Sequence, residues 1–251
     1  GEAFDVIFND NDAKKVNLSK GLDNVLLSAV NLYGPDITTA DVESFYSDKV
    51  SPNKDKPLSF GLNSPLVKIN GELTERVYKS GGLYGTAIDE ITKWLELALG
   101  VAENKAQGEA LGLLIEYYKT GDLQVWDDYN VAWTAATEGN IDYINSFIEV
   151  YNDPVGYTGS YETIVQVKDF DMSQKMAVLS ENAQWFEDNS PLMDAHKKKN
   201  VVGVSYKVVN VAGEAGDASP STPIGVNLPN ANCIRAAVGS KSVSLGNIIH
   251  S

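Results

Sequence analysis

The chain has 251 residues, 43% of them hydrophobic, and a net charge of −14. That length carries one large domain or two smaller ones with a sizeable core. The acidic balance speaks against nucleic acid and anionic membranes as partners, which need clustered cations. No run of about 18 apolar residues marks a membrane span, and the single Cys233 excludes an internal disulfide or a Cys-rich zinc site.

Gly1 to Asp5 lacks the basic and apolar stretches of a signal peptide. Asp10-Asn11-Asp12 lacks the further oxygen ligands, central glycine and closing glutamate of an EF-hand loop, so it reads as a turn or cap. Leu22 to Tyr33 is apolar on one face and reads as a helix stopped by Gly34-Pro35. Thr39 is the expected cap of the next short helix, with Asp41 in its first turn. Val50 to Asn70 reads as loop with a short extended piece. Gly81-Gly82 opens a strong helix with Ile88, Ile91, Leu95 and Ala98 on one stripe. Leu111, Leu114, Ile115 and Tyr118 predict another, capped by Gly121. Ile141, Ile144, Ile148 and Tyr151 predict a third, ending near Asp153-Pro154.

The texture then changes. Tyr161 to Lys168 alternates and predicts a strand, Met172 to Glu187 a helix, and Val201 to Val211 a strand with valines on both faces. Gly213 to Pro223 is a small-residue loop, Ile224 to Leu228 a short extended run, and Ser242 to Ile249 another. The class is α+β, helices first and a sheet assembled late. The tryptophans at 94, 126, 133 and 185 are expected in the core.

Few catalytic constellations are available. His196 and His250 lack helical metal-ligand spacing and their surroundings give no local hint of a nucleophile–histidine set, so no complete catalytic set is expected here. A pair of carboxylates for acid–base work stays open. Gly81-Gly82-Leu83-Tyr84-Gly85 is not followed by the Lys-Ser/Thr of a phosphate loop and reads as a flexible helix entry. No Gly-x-Ser-x-Gly elbow occurs. Lys197-Lys198-Lys199 reads as a solvated run. In Pro223-Ile224-Gly225-Val226-Asn227-Leu228-Pro229-Asn230, Gly225 and Asn227 share a face. Gly225 permits close backbone approach, and Pro229 marks an edge strand open to a guest strand. An ordinary turn-rich edge strand is the plainer reading of the same composition.

Four blocks, in order, resemble the dipeptidyl peptidase III family of zinc metallopeptidases, bacterial type. They are Ile148-Glu149-Val150-Tyr151-Asn152-Asp153-Pro154, Gly159-Ser160-Tyr161-Glu162, Gly225-Val226-Asn227-Leu228-Pro229-Asn230 and Ser242-Val243-Ser244-Leu245-Gly246-Asn247. Leu62-Asn63-Ser64 and Leu66-Val67-Lys68 resemble its amino-terminal region. The resemblance implies two lobes around a cleft: a barrel lobe with a small β-barrel-like sheet over residues 1–169 and 201–251, and a helical excursion over 170–200 belonging to a zinc lobe. The family's His-Glu-x-x-Gly-His motif and later glutamate ligand come after the last block, so zinc is expected in a full-length parent and its ligands outside this chain.

By position, the resemblance implies that Glu149 grips a substrate's amino-terminal ammonium, helped by Asn227 and Asn230. Tyr151 faces the scissile carbonyl, and Pro223, Ile224 and Gly225 form the edge along which the peptide lies. The implied partners are short peptides, held by their amino termini, and the zinc-bearing remainder of the same protein. The implied place is the cytoplasm, with export in a bacterium left open. A non-enzymatic peptide-binding module is the alternative function.

Overall fold

The computed structural model describes residues 2–9, 12–30, 32–201, 204–219 and 222–249. The Asp10-Asn11-Asp12 turn, through its first two residues, and His250 lie outside the described residues. Helices α1 (Glu2–Ile7), α2 (Asn24–Leu27) and α3 (Thr39–Ser47) precede a hairpin of β1 (Leu66–Ile69) and β2 (Glu72–Glu75). Helices α4 (Gly85–Leu99), α5 (Lys105–Thr120) and α6 (Leu123–Ala135) follow, then strands β3 (Ile141–Glu149) and β4 (Ser160–Lys168). Next come α7 (Phe170–Glu181), α8 (Ala183–Asp188) and a 3-10 turn at Asp194–His196. The chain continues through β5 (Val204–Gly216), β6 (Gly225–Leu228), α9 (Asn232–Val238), β7 (Ser240–Leu245) and α10 (Gly246–Ile249).

The α+β class holds, and several local expectations are corrected. Among its described residues the segment 22–33 is helical only over Asn24–Leu27, because its polar groups bond elsewhere. The Asp23 carboxylate is shared between Leu26 N and Thr39, and Ala29 N and Val30 N donate to Lys14 O and Lys15 O. Thr38, not Thr39, caps α3, in a capping box with Asp41. The largest correction is β3: Ile141, Ile144 and Ile148 lie on a strand, not a helix. Their helical spacing is outweighed by an antiparallel partner, since β-branched and aromatic residues gain more from cross-strand packing. A bulge between Phe147 and Glu149 leaves Ile148 outside the ladder, so Phe147 and Ile148 are both buried. Strand β5 runs on to Gly216 through part of the expected loop, and the last extended run stops at Leu245, where α10 begins. The helix expected over 172–187 divides at Asn182.

Helices α4–α6 and the sheet share the main core. Leu114, Tyr117 and Tyr118 of α5, Trp126, Tyr129 and Trp133 of α6, and Ile144, Phe147 and Ile164 of the sheet form it. Gly121 ends α5 at φ +72°, the expected left-handed cap. Trp126 and Trp133 are buried, as expected of core tryptophans. Trp94 and Trp185 are not: they are 65% and 59% exposed, on the outer faces of α4 and α8. A second core joins Tyr33, Ile37, Val42, Tyr46 and Leu66 under α3.

The sheet order is β3-β4-β5-β7-β6, antiparallel except between β5 and β7. No backbone ladder closes it into a barrel among the described residues. It curls nonetheless. Lys241 of β7 reaches across to Asp142 of β3 at 2.9 Å and lies 4.2 Å from the centre of the Trp133 ring. Asn230, just past β6, donates to Glu149 at the end of β3 at 3.1 Å. Side chains therefore link the two sides of the sheet where backbone pairing does not, and α6 and α9 pack on one another.

Candidate functional site

The site lies where the ends of β3, β4, β5 and β6 meet. Glu149 is the last residue of β3, half-buried, and accepts the Asn230 amide. Tyr151 follows in the β3–β4 loop, 60% exposed, and its hydroxyl donates to Asp217 in the turn after β5. Asn152 is buried and donates from Nδ2 to Asp217 Oδ1 at 3.1 Å, Asp217 Oδ2 at 3.2 Å and Ser160 Oγ at 3.0 Å. Partial burial, then the bond to Asp217, pushes the Tyr151 hydroxyl pKa above its ordinary value. Glu162 of β4 is only 5% exposed. Burial first, then the charges of Glu149 and Asp217, raises its pKa from 4.5 to about 7.

The loop that presents Tyr151 is held from below by Asp153, itself 4% exposed. Asp153 Oδ2 accepts from the Tyr33 hydroxyl at 2.5 Å, Tyr157 N at 2.9 Å and Thr158 N at 2.7 Å. Its Oδ1 accepts from Val155 N at 3.0 Å. Gly159 is needed just beyond: a Cβ there would stand 2.9 Å from Leu62 O and from the Phe147 carbonyl carbon.

Strand β6 is the sheet's other edge, paired only with β7 among the described residues. Gly225 and Asn227 are exposed and alternate with the half-buried Val226 and buried Leu228. Gly225 does permit close backbone approach, and the backbone is the chain's own: a Cβ would meet Val243 O at 2.9 Å. Ile224 is 69% exposed, its carbonyl accepting Leu245 N, and Pro223 is half-buried. The fold thus joins Glu149 directly to Asn230, but Asn227 makes no hydrogen bond to another described side chain.

Asn230 also lines a cavity of about 380 Å³, together with Phe60, Trp126, Tyr129, Trp133, Tyr157 and Pro229 among others. Among the described residues, no three His, Cys, Asp or Glu side chains are placed to hold a metal ion. Glu162 and Asp217 are the site groups that sequence reading passed over. Glu162 lies in Gly159-Ser160-Tyr161-Glu162 but reads as one polar position of an alternating strand, and Asp217 lies in a small-residue loop.

The model of peptidase family M49 matches residues 63–251. The chain belongs to that family. Dipeptidyl peptidase 3 of Homo sapiens is 29% identical over 168 residues, covering 67% of this chain and 22% of that protein. The enzyme of the same name from Dictyostelium discoideum is 29% identical over 236 residues, covering 86% and 33%. The solved DPP III of Caldithrix abyssi superposes with a TM-score of 0.73 at 25% identity, covering 88% of this chain and 41% of that one. The dipeptidyl-peptidase III of Corallococcus sp. strain EGB shares the fold, with a TM-score of 0.71 at 23% identity. This M49 chain therefore spans no more than about a third of the curated dipeptidyl peptidase 3 relatives it matches. No helix among its described residues is long and apolar enough to cross a membrane.

Proposed function

We propose that this chain is the substrate-gripping part of a zinc-dependent dipeptidyl peptidase that releases dipeptides from peptide amino termini, and that by itself it is inactive. The observation that carries the reading is the Glu149–Asn230 pair, set beside Tyr151 and two more carboxylates at the end of an unpaired strand edge. A carboxylate and an amide oxygen satisfy the donors of a peptide's ammonium group, and gripping that end is how two residues are counted off. The edge of β6 that no described strand pairs, with Pro223 and Ile224 leading into Gly225 and Asn227, offers main-chain groups along which an extended peptide lies as an added strand. Tyr151 is placed to donate to the oxygen of the scissile carbonyl as charge develops there.

The described residues of this chain do not fit a zinc site. In this reading the metal belongs to the remainder of the full-length protein, the helical segment 170–200 reaches toward that lobe, and the enzyme works in the cytoplasm. Exposed Val178, Leu179, Trp185 and Phe186 give that segment an apolar face for such a contact.

The test is kinetic, on the full-length protein. Glu149→Ala is expected to raise KM for peptides with free amino termini and leave the weak handling of amino-acetylated peptides unchanged. Tyr151→Phe is expected to lower kcat more than it raises KM. Equal use of free and acetylated peptides by the unaltered enzyme overturns the ammonium assignment. Dipeptide release by the isolated 251-residue chain with zinc supplied overturns the claim of inactivity.

A further inference from the structure

Glu162, on β4, is only 5% exposed, more deeply buried than Glu149. It stands on β4 opposite Ser146 of β3 and Gly216 of β5, neither of which titrates. No described residue gives its carboxyl group a hydrogen bond or an ion pair. The charged groups that act on it are Glu149 from β3 and Asp217 from the turn after β5, both of its own sign. Asp217 in turn receives the Tyr151 hydroxyl and the Asn152 amide, neither of them a cation. A largely buried carboxyl group with no side-chain partner among the described residues, acted on by two carboxylates, is disfavoured as an anion unless a cation arrives or a proton stays.

We propose that Glu162 and Asp217 complete the ammonium receptor that Glu149 and Asn230 begin, and that Glu162 surrenders a proton when a peptide's amino terminus enters. The proposal rests on the reading of this site as an amino-terminus receptor, and goes beyond it by adding two residues and a proton. The exchange balances simply. The empty site holds Glu162 as a carboxylic acid; the ammonium enters with its own three protons; the Glu162 proton leaves to solvent and a carboxylate remains facing the cation. With the acid held near pH 7, the empty site carries most of one proton at pH 6 and little at pH 8. A peptide amine titrates near 7.7–8.0, so at pH 6 the ligand contributes no proton of its own.

The experiment is titration calorimetry of the full-length protein with alanyl-alanine amide, whose only titrating group is its amine. Runs at pH 6 in buffers of different ionisation enthalpy count the protons released. The unaltered protein is expected to release most of one proton per bound peptide at pH 6, and Glu162→Gln close to none. Asp217→Asn, which removes one like charge facing Glu162, is expected to move the release toward lower pH. Acetyl-alanyl-alanine amide tests the underlying reading by itself: binding as tight as that of the free amine sinks the receptor assignment altogether. If the acetylated probe binds weakly but the unaltered protein releases no proton at pH 6, the receptor stands and the Glu162 proposal is refuted. Undiminished release from Glu162→Gln refutes it equally. Should Glu162→Gln fail to fold, a release midpoint left in place by Asp217→Asn decides against the proposal.

Discussion

Replacing Asp153 with alanine removes one carboxylate that four donors share. The donors are not equivalent. Val155 and Tyr157 are half-buried, so their amides regain water when the carboxylate is gone. Thr158 is fully buried and Tyr33 is 8% exposed, so the Thr158 amide and the Tyr33 hydroxyl are left without a partner. A buried donor stranded in this way costs about 1–3 kcal/mol, so the two together cost about 4 kcal/mol. For a chain of this size each kcal/mol lowers Tm by roughly 2–4 °C, which makes the expected fall about 8–16 °C. Asp153→Asn should fall between. Its amide oxygen can replace Oδ2 for three donors, leaving its NH₂ facing only Val155 N. Thermal unfolding followed by circular dichroism measures the shift, and hydrogen exchange at the Thr158 amide locates it. A fall under about 3 °C with protection at Thr158 intact would show that Asp153 does not hold this loop.

Lys241→Met should cost about 3 kcal/mol in urea denaturation, because it strands Asp142 in a largely buried position. Adding Asp142→Leu to it should recover at least half, and a double variant as unstable as the single one would mean the pair does not close the curl of the sheet. Glu162 is held above its ordinary 4.5, near 7, so the native chain keeps a proton there that the unfolded chain has lost. Stability must therefore fall as pH rises between about 4.5 and 7. Asp127, raised from 3.8 to about 6 by burial, adds to the fall at the lower end. Urea midpoints between pH 5 and 7.5 check the slope, and Glu162→Gln should flatten its upper part.

The capping chemistry of α5 and the alternation of β4 were legible from local residues, because each expresses a preference settled within a few positions. Gly121 takes a left-handed cap whatever surrounds it, and Tyr161 to Lys168 has a strand's period of two. The family blocks were legible for a related reason: Glu149, Tyr151, Asn227 and Asn230 sit in short ordered strings, and order survives without coordinates. Strand β3 was not. Its isoleucines satisfy a helical period and a strand equally in one dimension, and only β4 alongside decides between them. The same holds for the site. That Glu149 bonds Asn230, 81 residues away, and that Asp217 receives Tyr151, 66 residues away, depends on the curl of a sheet across which Lys241 of β7 meets Asp142 of β3. Composition supplied the acidic groups and local pattern supplied the elements. The burial that makes Glu162 hold its proton exists only once four strand ends have converged, since desolvation is a property of the surroundings and not of the residue.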